Sequence, residues 1–152
     1  QRVIKATDIL SKRPIYIEDS AEINILQLRS KARQLKKQKG IKLIIIDYLQ
    51  LLASERKRDN KVQEVSDISR QLKILAKELN IPVIALAQLS RSVEARQDKR
   101  PMLSDLRESG SIEQDADIVM FLYRDEYYNA NTNNKNLAEL IISKHRTAQR
   151  AK

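Results

Sequence analysis

A chain of 152 residues that is 41% hydrophobic is long enough for one domain with its own core. No cysteine and a single histidine, His145, exclude disulfides, thiolate metal centres and histidine-rich metal sites, and no apolar run reaches the ~18 residues that span a bilayer. Lys and Arg outnumber Asp and Glu by 29 to 20, a formal charge of +9 that favours a polyanion such as nucleic acid but also fits a solvated basic surface.

The opening stretch QRVIKATDIL is charged and amphipathic and does not read as a signal peptide, so the expected compartment is the cytoplasm, at the nucleoid, or an organelle if the chain is plastid-encoded. Position 1 is Gln rather than Met, which predicts a processed or shortened chain or a piece of something longer. IYIED (15–19) reads as a short strand. Asn24 with Gln27 three residues on forms a capping-box pattern before a helix with Ile25, Leu28, Ala32 and Leu35 at helical spacing, stopped at Gly40 after a basic last turn. KLIIID (42–47) reads as a buried strand ending on Asp47, and SERKRDNK (54–61) as a charged loop.

Val62, Val65, Ile68, Leu72, Leu75 and Leu79 form the apolar stripe of a long helix closed by Asn80. IPVIALAQ (81–88) is a second buried strand, with Pro82 tolerated at its start. Residues 89–111 read as polar and irregular, SIEQDAD (111–117) as a short helix or turn, IVMFLY (118–123) as a third strand, NANTNNKN (129–136) as a turn region and LAELIIS (137–143) as a last strand. Apolar strands alternating with amphipathic helices predict an α/β fold with a mostly parallel sheet covered by helices on both faces. Ligands in such sheets sit at the carboxyl ends of the strands, where this chain carries Asp47, Gln88, and Lys144 with Arg146.

Each of these positions has a chemical reading beside a plain one. A branched apolar run ending in Asp matches a Walker B strand, whose carboxylate holds nucleotide-bound Mg²⁺, often through water; an Asp there can equally cap the next turn. Gln88 can donate to a γ-phosphate or to a neighbouring loop. In SDLRESGSIEQDAD, Gly110 permits a tight turn towards an anion and Arg107 can pair with it, whereas an ordinary loop would leave Arg107 and Glu108 in local salt bridges. Lys144 and Arg146, two positions apart, would point to one side of a continuing strand, either at a phosphate or at solvent. The only two glycines, Gly40 and Gly110, lie too far apart for the G-x-x-x-x-G-K-[ST] phosphate loop, so the chain by itself is expected to be inactive as an ATPase.

The segments IIIDYLQLL, KELNIPVIALAQLSR, DKRPMLSDLRESGSIEQDADIVMFLYRDEYY and IISKHR resemble the C-terminal RecA-like ATPase domain of bacterial replicative DNA helicases, the DnaB family. The resemblance runs from about residue 14 to 146, and its most specific part is Asp98 to Tyr128. It implies residues 1–152 to be the C-terminal part of a RecA-like motor domain without its Walker A strand and catalytic glutamate. It implies a homohexamer that encircles single-stranded DNA, moves 5′ to 3′ with ATP and Mg²⁺, and meets primase and a helicase loader. By the same resemblance Asp47 is the Walker B carboxylate, Gln88 the γ-phosphate sensor, Arg107, Glu108 and Gly110 the DNA-binding loop, and Lys144 and Arg146 the basic pair reaching a neighbour's ATP. The family continues R-N-G where this chain reads RTAQRAK, so residues 147–152 depart from the pattern. The rival reading is a non-catalytic nucleic-acid-binding or interaction fragment; a RecA-type recombinase relative is disfavoured by the 104–117 loop.

Overall fold

The computed structural model describes residues 2–20, 23–52 and 61–146, with the side chains of Lys61 and of residues 107–109 outside that description. The charged loop read at 54–61 and the tail 147–152 therefore lie almost wholly outside the described residues. An exposed helix, α1 (Arg2–Ser11), precedes α2 (Ile25–Lys39). Asn24 caps α2 through its side chain, and Gln27 returns the bond to the Asn24 backbone, as the sequence pattern predicts. Gly40 ends α2 in the left-handed conformation (φ 65°), which a residue without a Cβ adopts at no steric cost.

β1 (Ile44–Ile46) is followed by a 3₁₀ turn (Leu49–Leu51), then α3 (Lys61–Leu79) and β2 (Val83–Ala85). β1 and β2 pair in parallel, Ile46 opposite Ala85. A short α4 (Ser92–Ala95) and a kinked 3₁₀ segment (Leu103–Ser109) lead to α5 (Gly110–Asp115), β3 (Ile118–Tyr123), α6 (Asp125–Tyr128) and β4 (Glu139–His145). β3 and β4 pair antiparallel, Ile118 opposite His145, with an irregularity between Val119 and Met120.

The structure corrects several of the sequence expectations. The strands read as buried at 42–47 and 81–88 are shorter, Ile44–Ile46 and Val83–Ala85, and each keeps an exposed face with Ile45 and Ile84 on it. The sheet is not mostly parallel: among the described residues there is one parallel pair and one antiparallel pair. The chain between β3 and β4 holds only the four-residue α6, too little helix for the crossover a parallel return requires. The IYIED segment forms no strand. Ile15, Tyr16 and Ile17 are exposed, and a strand needs a neighbour to take up its backbone groups. β4 also runs two residues further than expected, which brings Lys144 inside the strand.

The core has two clusters. Ile25, Ile46, Leu49, Leu52, Val65, Ile68 and Leu72 join α2, β1 and the 3₁₀ turn to α3. Leu106, Val119 and Phe121 form the second, and Ile112 of α5 packs against both. The segment 89–109, irregular in the sequence, is ordered by one buried carboxylate. Asp105 takes both Nη atoms of Arg96 at 2.8 Å and the Met102 amide at 2.8 Å. A forked guanidinium on a carboxylate fixes direction as well as distance.

Candidate functional site

Asp47 and Gln88 line the same cleft. Past the β1–β2 ladder, the Leu86 amide donates to the Ile46 carbonyl at 2.9 Å and the Leu49 amide to the Leu86 carbonyl at 2.8 Å. Asp47 and Tyr48 bulge away between these two bonds, and with Leu86, Ala87 and Gln88 they line an open cleft of about 320 Å³. Asp47 and Gln88 are both exposed, and neither side chain has a hydrogen-bond or ion-pair partner among the described residues. This arises from the sequence locally: the buried Ile46 and Leu49 flank Asp47 and leave it the solvent side.

Gln50 is a contributor that pattern reading missed. Its side-chain amide donates to the Gln88 carbonyl at 3.2 Å and accepts from the Gln88 amide at 3.2 Å. This two-way bond holds the segment that follows β2 against the 3₁₀ turn. Its only sequence signal is a lone Gln between Leu49 and Leu51, in a stretch that otherwise reads as core. A single outward carboxylate suits Mg²⁺, which keeps most of its waters and takes few protein ligands. Among the described residues no group of three His, Asp or Glu side chains could hold a metal by itself.

Lys144 and Arg146 gather elsewhere and are not among the residues lining the cleft. Because β4 runs antiparallel to β3, its carboxyl end lies at the start of β3, beside the end of α5. The Lys144 ammonium donates to the Glu113 and Ala116 carbonyls, the latter at 2.9 Å, and so caps the last turn of α5. The Arg146 amide donates to the Asp117 carbonyl at 2.9 Å, and its guanidinium sits 3.5 Å from the Asp117 carboxylate. The other Asp117 oxygen pairs with Lys73 of α3. Lys73 is the main cause that holds the Asp117 carboxyl below the usual aspartate range. The two cations thus converge on residues 113–117 but serve different groups there.

Gly110 begins α5 in right-handed helical geometry (φ −52°), with open space where a Cβ would stand. The tight turn expected of it is not what the backbone uses. The side chains of Arg107 and Glu108 lie outside the described residues; their backbone belongs to the 3₁₀ segment that leads into α5.

The whole of residues 1–152 matches the model of the DnaB-like helicase C-terminal domain. The chain is 60% identical over 146 residues to the replicative DNA helicase DnaB of Geobacillus stearothermophilus, covering 95% of this chain and 32% of that protein. It is 59% identical to the replicative DNA helicase DnaC of Bacillus subtilis, again over 95% of this chain and 32% of the relative. It thus spans about a third of the length of these curated relatives. Two solved structures superpose over 95% of the chain at 52% identity: the ATPase domain of G40P with a TM-score of 0.91, of which the chain covers 52%, and a DnaB-like replicative helicase studied for its interactions with primase, with a TM-score of 0.90 and 35% covered. Among the described residues no helix is long and apolar enough to cross a membrane. Fold and sequence agree along the same residues, and the chain belongs to the DnaB-like helicase C-terminal domain family.

Proposed function

We propose that this chain is the C-terminal part of the motor of a hexameric replicative helicase that moves 5′ to 3′ on single-stranded DNA, driven by ATP and Mg²⁺. The observation that supports this reading best is that Asp47 and Gln88 line one open cleft just beyond the carboxyl ends of paired parallel strands. When bound, Mg²⁺ supplies charge neutralisation at the phosphates of ATP. Asp47 would hold it through water, and Gln88 would donate to the γ-phosphate. Arg107, Glu108 and Gly110 form the loop that meets DNA, with Arg107 on a backbone phosphate. Lys144 and Arg146 act at the ATP site of a neighbouring subunit. Lys144 must leave the α5 carbonyls to reach a phosphate, whereas Arg146 is half exposed and closer to available. Primase and a helicase loader are the further partners, and the cytoplasm, at the nucleoid, is the compartment.

The remainder of the ATPase domain supplies the phosphate loop. It would cover the apolar strand faces this chain exposes, among them Ile45 and Ile84, which lie side by side on β1 and β2. The test is a hybrid: the full-length Geobacillus stearothermophilus relative with its matching third replaced by residues 1–146. The hybrid is expected to hydrolyse ATP with stimulation by single-stranded DNA, and Asp47→Ala is expected to remove that turnover. A hybrid that assembles and binds DNA but hydrolyses nothing would favour the non-catalytic binding fragment instead.

A further inference from the structure

We propose that Asp117 is the positioning residue of Arg146: it aims the guanidinium outward from the end of β4, and Lys73 in turn fixes Asp117. The inference rests on the reading of Arg146 as a residue that works on a neighbour's nucleotide. Asp117 divides its two oxygens between two cations, Lys73 on one and Arg146 at 3.5 Å on the other. Its main chain also accepts the Arg146 amide at 2.9 Å, so backbone and side chain are referenced to the same residue.

Lys73 has a firm base. It rides on α3 beside Leu72 and Leu75, both buried, and its side chain is only 21% exposed. Asp117 and Arg146 are 58% and 53% exposed, and an ion pair so open to water contributes little stability. What it can contribute is direction. Arg146 follows the last residue of β4 on a side chain with several rotatable bonds; its contact with Asp117 runs through Nη1 alone, one nitrogen of a fork with several more N–H donors, and the side chain is 53% exposed. Lys144 is the contrast: its ammonium is committed to two carbonyls of its own subunit. Orientation of a group that must meet a phosphate in the transition state affects rate rather than ground-state binding.

The test uses the full-length hybrid and its variants Asp117→Asn, Lys73→Met and Arg146→Ala. Asp117→Asn is expected to lower kcat about tenfold, with KM for ATP changed by less than about twofold, and Lys73→Met to do the same more weakly. The decisive readout is mixed rings of Asp117→Asn and Asp47→Ala subunits. An Asp47→Ala subunit carries an intact Asp117 and Arg146, so it can serve the intact site of an Asp117→Asn neighbour. ATP hydrolysis above the average of the two separate preparations is the expected result. No gain with Asp117→Asn, where the Arg146→Ala mixture does gain, would overturn the inference and assign Asp117 to the fold of its own subunit. Full turnover by Arg146→Ala alone would instead overturn the underlying reading of Arg146, and this inference with it. If Asp117→Asn fails to assemble, judged by thermal melting and ring size, Lys73→Met takes its place in the mixed rings: a gain supports the inference and no gain overturns it.

Discussion

Gln88, three residues past β2, has its main-chain carbonyl and amide both bonded by the side-chain amide of Gln50. Each of these bonds is worth about 0.5–1.5 kcal/mol net, and the lower end applies to so exposed a pair. Gln50→Ala is therefore expected to cost about 1 kcal/mol in the isolated chain, read from urea denaturation. In the hybrid it is expected to lower kcat while ATP binding stays close to unchanged, because the side chain of Gln88 loses its fixed base but not its chemistry. Gln50→Glu is the sharper comparison. It keeps an acceptor for the Gln88 amide and loses the donor to the Gln88 carbonyl, so an effect as large as that of Ala would assign the work to the donor half. A variant indistinguishable from wild type in both measurements would show that the 3₁₀ turn holds β2 without Gln50.

At the scale of elements, α2 and α3 are joined by charge as well as by apolar contact. Arg33 and Arg29 of α2 both reach Glu78 near the end of α3, Arg33 at 2.8 Å through Nη2 and Arg29 at 3.3 Å, while Arg29 also donates to Gln71 at 2.5 Å. Arg33 is the main cause that holds the Glu78 carboxyl below the usual glutamate range. A depressed carboxylate contributes stability that is complete above its unfolded value, about 4.3, and is lost as pH falls through the lower folded value. Denaturation midpoints of the wild-type chain are thus expected to fall more steeply below about pH 4.3 than those of Glu78→Gln. Equal acid sensitivity in the two would mean that the exposed pairs with Arg29 and Arg33 add nothing measurable, as many surface ion pairs do.

At the scale of the whole molecule, β3 and β4 form a sheet with one finished face. Val119, Phe121 and Tyr123 are buried, while the alternate residues Ile118, Met120 and Leu122 are exposed, together with Leu140 and Ile142 opposite them. An apolar strip of this kind on a sheet marks a surface that meets another element or chain. Neighbouring residues on β3 should then behave oppositely. Phe121→Ala is expected to destabilise the isolated chain by about 3–5 kcal/mol. Leu122→Lys, at a residue that is 73% exposed, is expected to stay within about 0.5 kcal/mol of wild type there. In the hybrid Leu122→Lys is expected to impair assembly, because the rest of the domain would then have to bury a charge. Equal destabilisation of the isolated chain by both variants would show that the face is already covered.

The sequence by itself determined the elements whose signals are local. The Asn24–Gln27 cap, the Gly40 stop, the apolar stripe of α3 and the six residues of β3 follow from hydrogen-bonding side chains, a missing Cβ and periodicity within a few residues. It also singled out Asp47 and Gln88, although the strands stop at Ile46 and Ala85 and leave Gln88 three residues beyond β2, and it marked the family through the run from Asp98 to Tyr128. Only the tertiary structure decided what depends on partners distant in the chain. The IYIED segment has strand composition but forms no strand, since pairing is a property of neighbours and not of the segment. β4 returns antiparallel, which separates Lys144 and Arg146 from the cleft and brings them to α5 and Asp117. Gln50 and Arg96 read as ordinary polar residues until folding sets Gln88 and Asp105 against them. Periodicity records which face of an element is buried; it carries no record of which direction the next strand takes or which carboxylate a distant arginine will find.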